Sequence, residues 1–263
     1  MPFGSCGSDE PERMPAILRT HGGLGNQLFQ VLYGRLFAEK HAQELREVHD
    51  TRYAHAFPRS AALHRPARAP APHERWLSAL RLPKVLQRLA GRPEGPLWLL
   101  GSAYLDGYFQ AAQAYAPFEP AAIRRHLQAL RSELSIRPAH IDQCLVHLRV
   151  GDFFASRQGA REHIEQRLKN VPPNSAIMTN DEALLAEPAV AELLAAKGCR
   201  LVSTAGFAAE DVLRSMAAYG RLDANDSTLV FWASVLGGSK AALQHAGLHA
   251  TQALFSSSLL PAP

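Results

Sequence analysis

The chain has 263 residues, 47% of them hydrophobic and 20% charged, with a formal charge of +4 and a pI near 9.1. This is the composition of an ordinary globular protein, not a disordered one, and the length allows one large or two modest domains. Cys6, Cys144 and Cys199 are odd in number and far apart, which excludes a disulfide framework and a CxxC zinc pattern and fits a reducing compartment. Residues 1–14 are polar, lack the apolar core of a signal peptide, and read as a disordered tail. No apolar run approaches the roughly 18 residues that span a bilayer. The basic balance permits an anionic ligand or an acidic membrane surface and requires neither.

Ala16 to Thr20 reads as a strand that runs into His21-Gly22-Gly23-Leu24-Gly25-Asn26-Gln27. Leu24, Leu28, Phe29, Leu32, Leu36 and Phe37 then recur at helical spacing, which predicts an amphipathic helix. Strand, glycine turn and helix together aim free backbone amides at whatever lies above the turn, a natural anion site. A tight turn that merely needs glycine gives the same pattern. The segment fits neither a Walker loop nor GxGxxG.

From 51 to 96 prolines alternate with arginines, a density that breaks regular elements. A helix can survive at Glu74–Arg81 or Pro83–Ala90, but the region reads mainly as a solvated excursion. Without interleaved aromatics it is no nucleic-acid module; contact with an acceptor or a membrane surface stays open. Leu97 to Leu100 reads as a buried strand, followed by Leu105-Asp106-Gly107-Tyr108-Phe109-Gln110 and a helix with Ile123, Leu127 and Leu130 on one face. Pro138 marks a boundary. These features divide the chain into a half at 15–137 and a half at 138–263.

The second half reads as repeated strand–loop–helix units, with strands at 144–150, 176–178, 199–203 and 222–224. Helices follow around Val190–Leu194, Glu210–Tyr219 and Leu229–Leu236. Such alternation predicts a parallel sheet covered by helices. The polar clusters Thr179-Asn180-Asp181-Glu182 and Asn225-Asp226-Ser227-Thr228 fall at strand ends, as ligand sites and helix caps both do. Along the first of these strands side chains alternate, so His147 and Arg149 share a face. An arginine at the end of a buried strand needs an anion, either a ligand phosphate or carboxylate or a neighbouring acid.

Four segments together resemble the bacterial α-1,2-fucosyltransferases of glycosyltransferase family 11. They are Gly22-Gly23-Leu24-Gly25-Asn26-Gln27-Leu28-Phe29-Gln30, Leu105-Asp106-Gly107-Tyr108-Phe109-Gln110, His147-Leu148-Arg149-Val150-Gly151-Asp152, and Asn225 through Trp232. Thr179-Asn180-Asp181 is a looser fifth match. The His-Leu-Arg-x-Gly string is also similar to protein O-fucosyltransferases. The chain departs from the family at Val150, where a second arginine is usual, and at Val230 and Phe231, where serine and tryptophan are usual.

The resemblance implies an α/β, GT-B-like fold of two Rossmann-type halves facing a cleft, with GDP-fucose held chiefly by the second. It implies inverting transfer to a hydroxyl of a galactose-containing glycan, such as a lipopolysaccharide side chain, with no cofactor and no obligatory metal. A cytoplasmic location follows, with peripheral contact at the inner membrane permitted. Catalysis is assigned to Arg149, Asp152 and Asn26. Donor binding is assigned to Gly23, Gly25, Asn26, Gln27, His147, Arg149, Asp181, Ser227 and Thr228, and the acceptor cleft to Asp106 and Tyr108. Asp152 is either the base that takes the acceptor proton or a group that orients Arg149 or His147. Bland roles stay open for His147 (a buried, satisfied histidine), for Asp181, Ser227 and Thr228 (helix capping), and for Tyr108 (packing). A different donor or acceptor, or a catalytically silent nucleotide- or glycan-binding relative, is the alternative reading. Oligomeric state and acceptor identity are left open.

Overall fold

The computed structural model describes residues 14–50, 52, 58–63, 69–91, 94–150, 154–224, 227–243 and 246–259. Two sheets organise them. In the first, β1 (Ala16–Thr20) pairs in parallel with β2 (Leu45–His49) on one side and β4 (Ser102–Leu105) on the other, while β3 (Pro96–Leu99) runs antiparallel to β4 at the edge. The second sheet is wholly parallel. Its strands are β5 (Ile141–Leu148), β6 (Ala176–Thr179), β7 (Arg200–Leu201), β8 (Tyr219–Ala224) and β9 (Lys240–Leu243), in the order β7-β6-β5-β8-β9. Central strands covered on both faces are the most apolar: β1 and β6 are buried throughout. The fold is therefore α/β, with two sheet-bearing halves on either side of a cleft.

The first sheet departs from the expected pattern at β3. Leu97 to Leu100 was to be a buried strand, yet β3 lies at the edge and Trp98 is 48% exposed. Leu100 and Gly101, both at positive φ (50° and 75°), join β3 to β4. That is the left-handed pair a two-residue hairpin needs, and such a hairpin makes an antiparallel edge instead of a crossover.

Helix α1 (Leu24–Lys40) also differs from its pattern. Apolar spacing predicts one buried stripe, but the helix is buried on nearly every side, Gln27 and Gln30 included. It lies between β1, α4 (Pro120–Glu133) and α9 (Thr228–Gly237). Phe29 reaches across to the second half, with ring centroids 4.8 Å from both Phe231 and Trp232. These rings and Phe255 of α10 (Ala246–Leu259) belong to one apolar core shared by both halves. Burying each such side chain is worth roughly 1.5–3 kcal/mol. Helix α10 returns to the first half, where Thr251 Oγ1 donates to the Gln110 carbonyl at 2.7 Å and Arg124 Nε donates to the Ser258 carbonyl at 2.6 Å.

The described part of 51–96 holds both helices that the sequence allowed, α2 (Pro72–Ala79) and α3 (Leu82–Leu89). Each carries proline in its first turn, where the missing N–H costs nothing. The excursion is less solvated than its composition suggests. Leu77 packs on Ile17 and Tyr104 of the sheet, and buried Glu74 pairs with Arg46 at 3.0 Å.

Candidate functional site

Segments at the carboxyl ends of β1, β4, β5, β6, β7 and β8 line a cleft of 630 Å³. Gly22 to Asn26 follow β1, Tyr108 follows β4, and His147 and Arg149 end β5. Met178, Thr179 and Asn180 end β6, Thr204 follows β7, and Ser227 to Leu229 follow β8. Ala209 and Val212 come from α8 (Ala209–Ala217). Strand ends are where open α/β sheets bind ligands, and the volume suits a nucleotide-sized molecule.

On the first wall, Gly22 turns the chain off β1 at φ 76°, and Gly23 caps α1 with no side-chain oxygen. The amides of Asn26 and Gln27 donate back to the Gly23 carbonyl at 2.9 and 3.1 Å. Those of Leu24 and Gly25 meet no acceptor among the described residues. On α9, Ser227 caps the helix by accepting from the Val230 amide at 3.3 Å. The two helix starts touch. A Cβ on Gly25 would stand 2.7 Å from the Thr228 carbonyl carbon and 2.8 Å from the Leu229 nitrogen, so only glycine permits the approach. Trp232 Nε1 donates to the Gly25 carbonyl at 2.8 Å and locks it. Two positive helix ends are thereby brought to one place in the cleft.

Arg149 stands at the end of β5 and is the one charged side chain among the described lining residues. Its backbone is pinned on both sides: Thr179 Oγ1 donates to the Leu148 carbonyl at 2.7 Å, and the Val150 amide donates to Asn180 Oδ1 at 2.9 Å. His147 is 8% exposed, and its Nδ1 is buried with no hydrogen-bond partner among the described residues. Burial, reinforced by the Arg149 charge, pushes its pKa down to about 4, so the imidazole is neutral near pH 7.

The structure gathers Gly23, Gly25, Asn26, His147, Arg149, Ser227, Thr228 and Tyr108 around this cleft. Asn26 accepts from Gln110 Nε2 at 3.0 Å through its Oδ1, which leaves its amide nitrogen as a donor. Gln27 is placed elsewhere. Buried at 1% exposure, it donates to the carbonyls of Gly22 (2.8 Å) and Pro58 (3.0 Å) and accepts from the Ser60 amide (3.2 Å), bracing the glycine turn from behind. Asp181 does not line the cleft. It caps α6 (Glu182–Leu185) by accepting from the Leu184 amide at 3.1 Å. Asp106 does not line the cleft either; it is buried in an ion pair with Arg19 at 3.2 Å. Asp152, Asn225 and Asp226 lie outside the described residues. The positions that depart from the family, Val150, Val230 and Phe231, are all core residues with at most 1% exposure.

Sequence reasoning did not single out Leu24, Met178, Thr179, Asn180, Thr204, Ala209, Val212 or Leu229 as site residues. Their shared signal was position just after a strand or at the start of a helix, not residue type. Among the described residues, no group of three or more His, Cys, Asp or Glu side chains could hold a metal ion. No helix among them is long and apolar enough to cross a membrane.

No protein-family model matches the chain, and no curated protein matches it. Solved structures do resemble it in overall arrangement. Fucosyltransferase NodZ from Bradyrhizobium aligns with TM-score 0.44 at 15% identity, covering 85% of this chain and 93% of that one. A mutant of Arabidopsis thaliana FUT1 in complex with GDP aligns with TM-score 0.44 at 12% identity, over 92% of this chain and 71% of that one. POFUT1 in complex with GDP gives TM-score 0.42 at 11% identity, over 88% and 98%.

Proposed function

We propose that the protein is an inverting glycosyltransferase that moves L-fucose from GDP-fucose to a hydroxyl of a glycan acceptor, O2 of a galactose in our reading. The observation that carries the proposal is the convergence of the α1 and α9 starts with Arg149 around a cleft whose described lining contains no carboxylate. Such a site favours a diphosphate. The four family-like strings supply the choice of guanosine and fucose. In this reading Met178, Ala209 and Val212 flank the base, and Thr179, Asn180 and Thr204 offer polar contacts to base or ribose. We divide the chain near residue 137 into an acceptor side and a donor side, and place the enzyme in the cytoplasm, working on a surface glycan.

In the reaction the acceptor oxygen attacks the anomeric carbon as the bond from that carbon to the β-phosphate oxygen breaks. The electron pair leaves with GDP, and the acceptor proton passes to a base or to water. The transition state is oxocarbenium-like, as in glycoside hydrolysis. Arg149, the Asn26 amide, the Ser227 and Thr228 hydroxyls and the free helix amides stabilise the growing phosphate charge. His147, neutral and lining the cleft, adds a contact to the nucleotide sugar. Asp152 is our candidate for the proton acceptor, in keeping with its place three residues after Arg149.

The test is a thermal-shift panel with GDP, UDP, CMP and NAD on wild type and Arg149→Ala, followed by GDP-fucose turnover on galactosides. Selective stabilisation by GDP, lost in the variant, supports the reading through ligand linkage. Stabilisation by UDP alone refutes the fucose assignment. No response to any nucleotide from folded protein refutes the enzyme reading and favours a silent relative.

A further inference from the structure

His21 lies between the last residue of β1 and Gly22, the first of the cleft-lining residues. Its ring packs on Tyr108, a cleft residue, at 4.8 Å between centroids and a 49° tilt. Its hydrogen bonds fix where its proton sits. The His21 backbone N–H lies 3.0 Å from one terminal atom of the Gln30 side chain. A backbone N–H only donates, so that atom is the carbonyl oxygen and the other is the amide nitrogen. This nitrogen stands 3.1 Å from His21 Nδ1, and an amide nitrogen also only donates. Nδ1 must accept, and a neutral imidazole that accepts at Nδ1 carries its hydrogen on Nε2. Gln30 is fully buried, so water does not compete for its amide.

The ring is also held neutral. Burial is the largest influence on its pKa, lowering it to about 4; Asp106 and Asp50 favour the charged form, while Arg19 and Arg81 oppose it. Nε2 has no hydrogen-bond partner among the described residues.

We propose that His21 is an acceptor-binding residue, whose Nε2–H, fixed in place by Gln30, donates to an oxygen of the sugar that packs against Tyr108. The inference rests on the glycosyltransferase reading and adds a constraint to it. A nitrogen that already holds its proton cannot take the acceptor's, so His21 selects and orients the acceptor and the base lies elsewhere.

Two measurements test this. Nitrogen-15 NMR of the histidine-labelled protein reads the tautomer without any substrate: His21 is neutral with hydrogen on Nε2 throughout about pH 5.5 to 8. Hydrogen on Nδ1, or an imidazolium in that range, overturns the inference. The second measurement compares His21→Asn and His21→Gln. Asparagine keeps an oxygen near Nδ1 to accept from Gln30 but loses the Nε2 donor, whereas glutamine places an amide N–H near the Nε2 position. The expected result for His21→Asn is an acceptor KM raised roughly tenfold, the loss of about one hydrogen bond, with GDP affinity and hydrolysis of GDP-fucose by water unchanged. His21→Gln recovers part of the KM. An unchanged acceptor KM in His21→Asn, beside a wild type that transfers fucose, overturns this inference alone. A wild type that binds no GDP overturns the functional reading and this inference with it.

Discussion

Gly25→Ala is the most informative single methyl that can be added to this protein. The new Cβ would lie 2.7 Å from the Thr228 carbonyl carbon and 2.8 Å from the Leu229 nitrogen, both backbone atoms that no rotamer change can move. Helices α1 and α9 must therefore separate by several tenths of an ångström. Overpacking of this kind costs about 1–3 kcal/mol, and stretching the Trp232–Gly25 bond adds up to about 1 kcal/mol. Alanine's better helix propensity returns at most about 1 kcal/mol, and less here because position 25 is in the first turn. The net loss is about 1–3 kcal/mol, which for a chain of this size lowers Tm by roughly 2–10 °C. Under the proposed function GDP affinity should fall as well, because the two helix starts assigned to the phosphates move apart. Gly34→Ala is the comparator. Its Cβ meets Leu18 Cδ2 at 2.9 Å, the movable end of a side chain, and position 34 gains the full interior propensity. It should lose less stability and bind GDP normally. Thermal denaturation and calorimetric GDP titration of both variants give the answer. A Gly25→Ala protein with wild-type Tm and Kd, or a Gly34→Ala protein that loses more, would refute the reasoning.

Other outcomes follow from the same geometry. Arg149→Ala should lower kcat by about a hundredfold or more, and Arg149→Lys nearly as far, since a point charge does not replace a planar fork; a lysine variant near wild-type rate would argue against bidentate phosphate binding. Arg19 ties together residues after β2 and β4 through Asp50 at 2.5 Å and Asp106 at 3.2 Å, all three side chains buried. Arg19→Ala leaves both carboxylates without that partner and should cost about 3–5 kcal/mol in urea unfolding; Arg52 and Arg81 reach Asp50 alone, so a loss under about 1 kcal/mol would refute the pairing at Asp106. Stability should also fall in acid in two stages. The folded protein keeps both His147 and His21 neutral down to about pH 4, whereas the unfolded chain protonates them near their ordinary value of 6.5. Stability is thus complete above about pH 6.5 and declines toward pH 4. Hydrogen bonding by Arg52 holds the Asp50 carboxyl well below the usual carboxylate range, so a second loss begins as pH drops below about 4. Urea midpoints across pH should show His147→Gln making the first stage shallower, with the His21 share left, and the second stage untouched; an unchanged slope between pH 6.5 and 4 would remove His147 as a source.

Much of the fold was legible because it is local. The strand at Ala16–Thr20 and the helices bearing Ile123, Leu127 and Leu130, or Val190 and Leu194, were announced by their own apolar runs and spacing. Elements with weak local signals were not. Strand β2 reads Leu-Arg-Glu-Val-His, and its charged residues make sense only once Arg46 meets Glu74 from α2 and Glu47 meets Arg59. The expected strand at 199–203 survives as Arg200–Leu201 alone, an edge with both residues exposed. At the site, residue type identified Arg149, His147 and the glycine turn, but could not separate Asp181 from Asn180. Both follow β6, yet the aspartate turns to cap a helix while the asparagine holds the Val150 amide and lines the cleft. Asp106 was misleading for a similar reason, since a carboxylate in a polar loop gives no sign that a buried arginine lies beneath it.

The contact between α1 and α9 bears most directly on mechanism, because it joins segments about 200 residues apart. Under the proposed reaction, negative charge grows on the departing diphosphate. Each helix start contributes about 0.3–2 kcal/mol toward an anion, and a charge-assisted bond from Arg149 about 1.5–3 kcal/mol. Together these lie between about 2 and 7 kcal/mol, below even the low end, roughly 8 kcal/mol, of what enzymes take off such barriers. The remainder has to come from holding acceptor and donor in line, a term that reaches about 7–11 kcal/mol when geometry is strict. This division has a consequence for the variants. Losing Arg149 weakens leaving-group stabilisation whether the nucleophile is a sugar hydroxyl or water, so transfer and donor hydrolysis should fall by the same factor. Losing the acceptor contact at His21 should slow transfer alone at low acceptor concentration. If Arg149→Ala suppressed transfer while leaving hydrolysis intact, the guanidinium would belong with acceptor positioning, and the phosphate assignment on which the cleft has been interpreted would fail.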